Sequence, residues 1–163
     1  MYVGDRRAMH LTTELLRLEN PVGAIDRIVS FLRDYVKQTS ADGFVIGMSG
    51  GLDSSVTAAL CSKALDDHSK ILGLSMSEEE TYNRENIADA ERVAQIFDIS
   101  LKRIDITPII RNFHKNIGIS GSTNRVAKGN IKARIRAATL FYHSNVLNRL
   151  VIGTTDKSEM MLG

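Results

Sequence analysis

Short strand-like segments alternate with helical segments along this sequence, and this alternation limits the fold more than any other feature. Four stretches are short and rich in apolar or β-branched residues: FVIGM at 44–48, KILGLSM at 70–76, LKRIDI at 101–106 and LVIGT at 150–154. Between them, apolar residues recur every three or four positions, which predicts amphipathic helices. Strands that alternate with helices are typical of a parallel sheet with helices on both faces, so the sequence predicts an α/β fold with three layers.

Five helices are predicted by this periodicity and by capping residues. They cover 22–38, a segment after the glycines at 50–51, most of 82–98, 107–113 and about 130–147. Thr107 is predicted to cap the fourth helix, because Pro108 is favoured at the first helical position. The stretch 115–130 is rich in Gly, Ser and Asn, which predicts a loop before the long fifth helix.

The composition is that of an ordinary globular domain. The 163 residues suit a single domain over 1–163, with 43% hydrophobic and 25% charged residues. The net charge of +2 is too small to argue for nucleic-acid binding. The N-terminal segment has no long apolar stretch behind its charges, and no apolar run approaches the ~18 residues of a membrane span. We therefore expect a cytoplasmic protein that has no secretory signal and binds no membrane.

Cysteine and histidine content limits the chemistry. Cys61, the one cysteine, excludes an internal disulfide and a cysteine-based zinc site, and its place in the second helix predicts a buried, unreactive thiol. The four histidines are scattered along the chain, which is typical of surface residues. No residue is therefore identified as a catalytic nucleophile or base.

The stretch GMSGGLDSS, residues 47–55, follows the first strand directly and leads into the second helix. A helix N-terminus offers unpaired N–H groups and the positive end of a dipole, so it attracts anions. Gly50 and Gly51 allow a tight turn and let a phosphate approach the backbone without a Cβ in the way. Ser49 and Ser54 can add hydroxyl donors. The stretch therefore predicts a phosphate-binding loop.

Asp53 does not fit a bare phosphate site, because a carboxylate that faces a polyphosphate is repelled. It fits if a divalent cation lies between the two, and Mg²⁺ favours one or two carboxylates together with phosphate oxygens. The Gly-Lys-Ser/Thr ending of the Walker loop is absent, so this is a different phosphate loop. The simpler alternative is a Gly-Gly turn in which Asp53 or Ser54 caps the helix, which leaves the second glycine unexplained.

The segment KGNIKARIRAATLFYHSN, residues 128–145, predicts a helix with one apolar face and one charged face. The apolar face is expected to consist of Ile131, Ile135, Ala138, Phe141 and Tyr142. Lys128, Lys132 and Arg136 lie four apart on another face and are predicted to be solvated. Arg134 falls beside the apolar face, where a buried guanidinium without a partner would be costly. We therefore expect Arg134 to meet an anion, from a ligand or a protein carboxylate; the alternative is an arginine whose head reaches water.

The segment LVIGTTDKSE, residues 150–159, ends the fourth strand and begins a helix near Asp156. Asp156 and Glu159 have the spacing of a capping box, which is a complete structural explanation for Glu159. The functional alternative makes Glu159 a second metal ligand, because the ends of neighbouring parallel strands face the same cleft.

The loop SGGLDS at 49–54 resembles the Ser-Gly-Gly-x-Asp-Ser loop of the ATP pyrophosphatase superfamily, whose adenine nucleotide alpha hydrolase-like fold is a Rossmann-like three-layer sandwich. Three further stretches add to it: GNIKARIR at 129–136, GT at 153–154 and KSE at 157–159. Together they resemble ammonia-dependent NAD synthetase in its archaeal form, from about Ile25 to Gly163. The resemblance implies amidation of deamido-NAD (nicotinic acid adenine dinucleotide) by ammonia, through an acyl-adenylate, with ATP converted to AMP and pyrophosphate.

The resemblance also implies roles for individual residues. The ATP phosphates would lie on Gly47, Met48, Ser49, Gly50, Gly51, Leu52, Asp53 and Ser54. Asp53 and Glu159 would bind Mg²⁺. Thr154 would contact ATP, and Arg134 would contact deamido-NAD at the subunit interface of a homodimer.

Three features depart from the family pattern. Ser77 stands where relatives often have proline, TTD at 154–156 replaces a Gly-Thr-Gly-Asn type of segment, and the chain ends at MMLG, 160–163. Relatives continue beyond that point, so the chain is expected to lack a C-terminal part or to be a short relative. Two alternatives stay open: another enzyme of the superfamily, such as a GMP synthetase or a tRNA-modifying enzyme, or a nucleotide-binding fragment without turnover.

Overall fold

Four parallel strands lie at the centre of the fold. The structure is a computed structural model and describes residues 18–118 and 124–154. Its helices are α1 (Pro21–Thr39), α2 (Leu52–Ala64), α3 (Arg84–Ile96), α4 (Thr107–Asn116) and α5 (Arg125–Leu147). Its strands are β1 (Phe44–Gly47), β2 (Ile71–Ser77), β3 (Ser100–Asp105) and β4 (Leu150–Ile152), and they pair in the order β3-β2-β1-β4. The predicted α/β fold with a parallel sheet is confirmed.

The strand order explains why helices cover both faces of the sheet. The chain moves from β1 to β2 to β3 in one direction and then returns to the far side of β1 to form β4. Because connections between parallel strands are right-handed, α2 and α3 lie on one face and the connection through α4 and α5 lies on the other. Contacts agree with this: α1 packs on α2 and α2 on α3, whereas α4 packs on α5. The predicted three layers are therefore present.

The two inner strands supply most of the large side chains that are completely buried, because both of their faces are covered. Phe44, Val45 and Ile46 of β1 and Ile71 of β2 have no exposed surface. Burying such a side chain contributes about 1.5–3 kcal/mol relative to leaving it in water. Cys61 of α2 packs in the same cluster, so the prediction of a buried thiol is confirmed, and burial raises its pKa to about 12.

Asparagine side chains begin three of the helices. Asn20, Asn83 and Asn124 accept hydrogen bonds from first-turn N–H groups of α1, α3 and α5. These are typical N-cap contacts, each of which stabilises a helix by about 1 kcal/mol. In the part of the chain that the structure describes, none of the helices combines the length and apolar character needed to cross a membrane.

The helix α5 begins earlier than predicted. It starts at Arg125 rather than near residue 130, because the Asn124 side chain caps it. Gly129 lies inside the helix, where glycine costs only about 1 kcal/mol, an amount that the cap offsets. The predicted loop over 115–130 is therefore wrong at its C-terminal end, and it is also wrong at its start, because α4 continues to Asn116.

The start of α4 also differs from the prediction. Thr107 is the first residue of the helix rather than its cap, and its backbone N–H donates to the Asp105 carboxylate at 2.9 Å. Hydrogen bonds from the Thr107 hydroxyl and N–H lower the pKa of Asp105. The Thr107 hydroxyl oxygen accepts a hydrogen bond from the N–H of Glu79 at 3.0 Å. The threonine thus ties α4 to the segment after β2, and the Asp105 carboxylate accepts a hydrogen bond from the first N–H of the helix.

Candidate functional site

The glycine-rich loop between β1 and α2 lies where the sheet changes its winding direction. β1 pairs with β2 on one side and with β4 on the other. In open parallel sheets, ligands bind beyond the carboxyl ends of the strands at such a switch point. Ile46 of β1 pairs with Ile152 of β4, which brings the following Gly153 and Thr154 to the edge that carries the loop. The structure therefore places the loop and Thr154 at one end of the sheet.

Hydroxyl groups inside the loop fix its shape. Ser54 is buried, and its hydroxyl donates to the carbonyl of Gly51 at 2.9 Å. Since that hydroxyl has one proton, the 3.2 Å contact between the Ser49 and Ser54 hydroxyls is donated by Ser49. The N–H groups of Ser49 and Gly51 donate back to the two hydroxyl oxygens at 3.3 and 3.2 Å. Both hydroxyls thus have partners within the loop, and their contact with phosphate stays a prediction.

Gly50 and Gly51 have different structural roles. Gly50 has a φ of +82°, and a Cβ there would lie 2.1 Å from the backbone oxygen of Asn86 in α3. The fold itself therefore requires glycine at this position. Gly51 has a φ of −80°, and its Cβ would meet only the Ser49 hydroxyl, at 3.3 Å. Packing among the described residues does not require this second glycine, so its missing Cβ leaves space beside the start of α2.

The first turn of α2 has no side-chain cap. Gly51 occupies the N-cap position, and no side chain accepts from the first-turn N–H groups. These groups, with the helix dipole behind them, are the donors that an anion needs. Asp53 is exposed in the same turn, so the structure presents a carboxylate beside the candidate phosphate donors.

One exposed carboxylate beside phosphate donors fits Mg²⁺. This ion takes few protein ligands and completes its octahedron with phosphate oxygens and water. Across residues 18–118 and 124–154, no three potential metal-ligating side chains lie together, so a cage made entirely of these residues is not present. Glu159, the predicted second ligand, and Asp156, its predicted capping partner, lie outside the described residues. Both alternatives for Glu159 therefore stay predictions.

A cavity of about 350 Å³ adjoins the loop. It is lined by Met48, Ser49, Ser75, Met76, Ser77, Asn83, Asn86, Ile87 and Arg136. These residues come from the ends of β1 and β2, from the start of α3 and from α5. Arg136 is the one charged side chain among them, so the lining has a positive charge and no carboxylate. This volume and charge suit a small anionic ligand.

A larger cavity, of about 660 Å³, lies beyond the ends of β2 and β3. Both of its arginines are paired with carboxylates: Arg103 lies 3.3 Å from Glu91, and Arg111 pairs with Glu79. Its cations are therefore compensated within the protein. The smaller cavity beside the loop is the better candidate for an anion.

Lys132 of α5 is nearly buried, which contradicts the prediction of a solvated charged face. Only 12% of its side chain is exposed, and its Nζ lies 2.7 Å from carboxylate oxygens of both Glu78 and Glu80. The Glu78 side chain is 3% exposed. Hydrogen bonds to Glu78 and Glu80 raise the pKa of Lys132, and the bond from Lys132 lowers the pKa of Glu80. Lys128 adds a weaker contact, 3.6 Å from Glu80.

Arg136 is the second exception to the predicted solvated face. It is half-buried, and its Nε donates to the backbone carbonyl of Met76 at 3.3 Å. Lys132 and Arg136, one turn apart, thus hold α5 against the carboxyl end of β2. The prediction fails because that end presents carboxylates and a carbonyl, which compensate the cost of removing the two cations from water.

Arg134 is exposed and faces away from the sheet. Its Nη1 donates to the carbonyl of Asn130 in its own helix at 3.1 Å, and it pairs with no carboxylate in the described part of the chain. The expected apolar face is wrong over its second half, because Phe141 and Tyr142 are 57% and 67% exposed. Helix α5 therefore presents an outward face that combines Arg134 with two aromatic rings.

The place and build of the loop define the class of protein. The loop has a Gly-Gly turn with internal hydrogen bonds, it lies at the switch point of a parallel sheet, and an aspartate stands in the helical turn that follows. This is the arrangement of the Rossmann-like ATP pyrophosphatase fold. Within that class, the NAD synthase family model matches residues 24–163. The chain belongs to the NAD synthase family.

Individual relatives agree with this assignment. The chain is 42% identical over 146 residues to an NH3-dependent NAD+ synthetase of Methanosarcina mazei, a match that covers 90% of this chain and 56% of that protein. It is 42% identical over 144 residues to the corresponding protein of Methanocaldococcus jannaschii, with 85% and 53% covered. The chain therefore spans about half the length of the curated relatives that it matches.

Solved structures show the same likeness. An NH3-dependent NAD synthetase from Campylobacter jejuni superposes with a TM-score of 0.78 at 36% identity, covering 86% of this chain and 59% of that one. An NMN synthetase from Francisella tularensis superposes with a TM-score of 0.77 at 31% identity, covering 86% and 56%.

The residues that join α5 to β2 were not predicted as site residues from the sequence. Glu78 and Lys132 form a nearly buried pair, and Arg136 lines the cavity beside the loop. A signal for them exists in the sequence: three glutamates follow β2 directly, and three cations recur at a spacing of four in α5. Runs of opposite charge on two elements that meet at one sheet end indicate pairing rather than separate solvated faces.

Proposed function

We propose that this protein catalyses the ATP-dependent amidation of deamido-NAD by ammonia. In the first step, a carboxylate oxygen of the nicotinate attacks the α-phosphorus of ATP, the bond to the β-phosphate oxygen breaks, and pyrophosphate leaves. In the second, the nitrogen of ammonia attacks the carbonyl carbon of the acyl-adenylate. AMP leaves with the former carboxylate oxygen, the nitrogen loses a proton to solvent, and NAD remains. Membership of the NAD synthase family supports this reaction.

The glycine-rich loop is the observation that carries the proposal. Residues 47–54 would hold the phosphates of ATP, with the uncapped N–H groups of α2 as donors. Gly51 supports this role because its missing Cβ leaves room at the helix start. Thr154 would contact ATP from the neighbouring strand end, because it follows Ile152, which pairs with Ile46 just before the loop.

Mg²⁺ would be held by Asp53 and Glu159 together with phosphate oxygens. The exposed place of Asp53 in the first turn of α2 supports its part, and the family resemblance supports that of Glu159. When bound, the ion supplies positive charge that offsets the charge of the leaving pyrophosphate.

A homodimer with deamido-NAD at its interface is part of the proposal. Large apolar side chains exposed on one helix face are typical of a surface that a partner covers. On α5, Phe141 and Tyr142 form such a face, and Arg134 lies two turns before Phe141 on the same side. Arg134 would contact deamido-NAD there. Sedimentation velocity tests the dimer: Tyr142→Glu should give monomers, whereas Lys115→Glu, at an exposed position on α4, should not. Equal sedimentation of both variants would argue against this face.

A second acceptor is favoured by one comparison. The likeness to an NMN synthetase favours an acceptor in which the nicotinate group belongs to a mononucleotide instead of a dinucleotide. The chemistry at the carboxylate is the same, so only the size of the acceptor differs. Rates with the two acceptors, each at saturating ammonia and ATP, distinguish these functions.

The test is formation of AMP and amide from Mg-ATP, ammonium chloride and each acceptor by the 163-residue chain. We expect AMP release that depends on both deamido-NAD and ammonia. Asp53→Ala should abolish the magnesium dependence of ATP binding, whereas Asp66→Ala, an exposed aspartate beyond the other end of α2, should not. ATP binding without AMP release would favour a nucleotide-binding module. A wild-type chain that does not bind ATP, or an Asp53→Ala variant with an unchanged magnesium effect, contradicts the proposal.

A further inference from the structure

We propose that Arg136 contacts the α-phosphate of the bound nucleotide, an inference that rests on the proposed function. The family resemblance gives this arginine no role, and the sequence pattern placed it in solvent. In the structure, it is the charged member of the cavity lining beside the glycine-rich loop.

Met76 links Arg136 to the loop. Its backbone carbonyl accepts a hydrogen bond from Arg136 Nε at 3.3 Å. Its side chain reaches the base of the loop, because a Cβ on Gly47 would lie 4.0 Å from Met76 Cε. Arg136 and the first residue of the loop therefore have Met76 as a common neighbour.

Arg136 has N–H donors that remain available to a ligand. It uses one of its five N–H groups on Met76, and it forms no ion pair with a carboxylate in residues 18–118 and 124–154. The neighbouring cations Lys132 and Arg111 each have a carboxylate partner. An anionic ligand that reaches the remaining N–H groups of this half-buried guanidinium would form charge-assisted hydrogen bonds with them. The cavity that it lines contains no competing acid.

The geometry of the site identifies which phosphate this is. The cavity meets the loop at Met48 and Ser49, whereas the uncapped donors of α2 begin beyond Gly51. A nucleotide with its terminal phosphates on those donors and its nucleoside in the cavity has its α-phosphate at the boundary between them. Arg136 lies on the cavity side of that boundary. Three lining residues, Met48, Met76 and Ile87, supply apolar surface for a nucleoside, and the serines and asparagines of the lining supply polar groups.

This position would give Arg136 a part in the reaction. The α-phosphorus is the atom that the nicotinate carboxylate attacks in the proposed first step. A fixed cation beside its oxygens stabilises the charge that builds on them, and does so most effectively in a site shielded from water. The Met76 carbonyl orients the guanidinium before the nucleotide binds.

The test is a series of ligands with increasing numbers of phosphates. Adenosine, AMP and ATP are titrated into the 163-residue chain and into Arg136→Gln, Arg136→Lys and the control Arg125→Gln, which removes an exposed cation from the same helix. Calorimetry serves for AMP and ATP, and ligand-observed NMR serves for adenosine at millimolar concentration. AMP is also measured in EDTA, so that the result does not depend on a metal. Thermal unfolding of each variant shows that it is folded.

We expect Arg136→Gln to weaken the binding of AMP and of ATP by a similar factor of about 10- to 100-fold, which is typical of losing a hydrogen bond to a charged group. The affinity for adenosine should change by less than about twofold, since a nucleoside has no phosphate for Arg136 to contact. Arg136→Lys should recover part of the loss because it keeps the charge, and Arg125→Gln should bind as the wild type does.

Three results would overturn the inference while leaving the proposed function in place. An equal loss for adenosine would mean a contact with the base or ribose. A loss for ATP alone would mean a contact with the terminal phosphates. Wild-type binding by Arg136→Gln would mean that the arginine only anchors α5. A wild-type chain that binds neither AMP nor ATP would overturn the proposed function and this inference together.

Discussion

The ammonium of Lys132 lies 2.7 Å from a carboxylate oxygen of Glu78, and the two side chains are only 12% and 3% exposed. This pair joins the middle layer of the fold to the outer helix α5 at the end where the sheet would bind its ligand. A nearly buried ion pair is costly to break, because the remaining partner keeps its charge without compensation.

Lys132→Met should lower the free energy of unfolding by about 3–5 kcal/mol, the cost typical of removing one partner of a buried pair. The double variant Lys132→Met/Glu78→Gln should lose less than the sum of the two single variants, since no buried charge is left unpaired. Urea denaturation of the four proteins measures the coupling. Lys128→Gln is the control: its side chain is 34% exposed and its contact with Glu80 is long, at 3.6 Å, so a change below about 1 kcal/mol is expected. Additive losses would show that the pair is not coupled.

The same cluster predicts how stability depends on pH. The pKa of Glu80 is lowered by its hydrogen bond from Lys132, so the unfolded chain takes up a proton at a higher pH than the folded chain does. The contribution of Glu80 is therefore complete above its unfolded pKa of about 4.3 and is lost as the pH falls through the lower folded value.

Lys132 acts in the opposite range. Its raised pKa means that its contribution is complete below the unfolded value of about 10.4 and is lost as the pH rises through the folded value. Urea denaturation from acid to alkaline pH should show both losses. Glu80→Gln should reduce the acid slope, whereas Glu19→Gln, an exposed residue before α1, should leave it unchanged. A wild-type acid slope in Glu80→Gln would exclude this residue as its source.

The two loop glycines should separate folding from ligand binding. Gly50→Ala places a Cβ 2.1 Å from the Asn86 backbone oxygen at a φ of +82°, so it should destabilise the protein by at least about 1–2 kcal/mol. Gly51→Ala meets only a flexible hydroxyl, at 3.3 Å, and should unfold within about 1 kcal/mol of the wild type. It should nevertheless bind ATP at least about tenfold more weakly, because the Cβ enters the space beside the phosphate donors. Wild-type affinity in Gly51→Ala would remove the argument for that space.

The thiol of Cys61 should be inert in the native protein. The residue has no exposed surface, and burial raises its pKa to about 12. At pH 8 its thiolate fraction is then more than about 1,000-fold below that of an unfolded cysteine with a pKa of about 8.5. Labelling with a disulfide reagent should be slow in buffer and fast in urea. Rapid labelling of the native protein would mean that α2 opens readily.

The alternation of strands and helices was enough to predict the sheet and its layers, because parallel β-α units allow few arrangements. Periodicity also placed α3 correctly, with Ile87, Ala90 and Ala94 on its buried stripe. Such a helix can be predicted from the local sequence pattern, because it packs on the core through a single apolar face.

Helix α5 could not be predicted in the same way, because its orientation depends on partners far along the chain. Lys132 faces the sheet since Glu78, 54 residues earlier, is there to receive it. The aromatic pair Phe141 and Tyr142 consequently turns outward. A helical pattern shows which residues share a face, but the charges on the neighbouring element decide which face is turned inward.

The serine pair in the glycine-rich loop has a consequence for the speed of association. The Ser49 and Ser54 hydroxyls form hydrogen bonds within the turn, so the backbone of the turn loses its conformational freedom when the polypeptide folds. A nucleotide that arrives there meets a preshaped surface, and encounter need not await a disorder-to-order transition. The rate of nucleotide binding at the glycine-rich loop should then be limited by diffusion and desolvation rather than by rearrangement of the backbone.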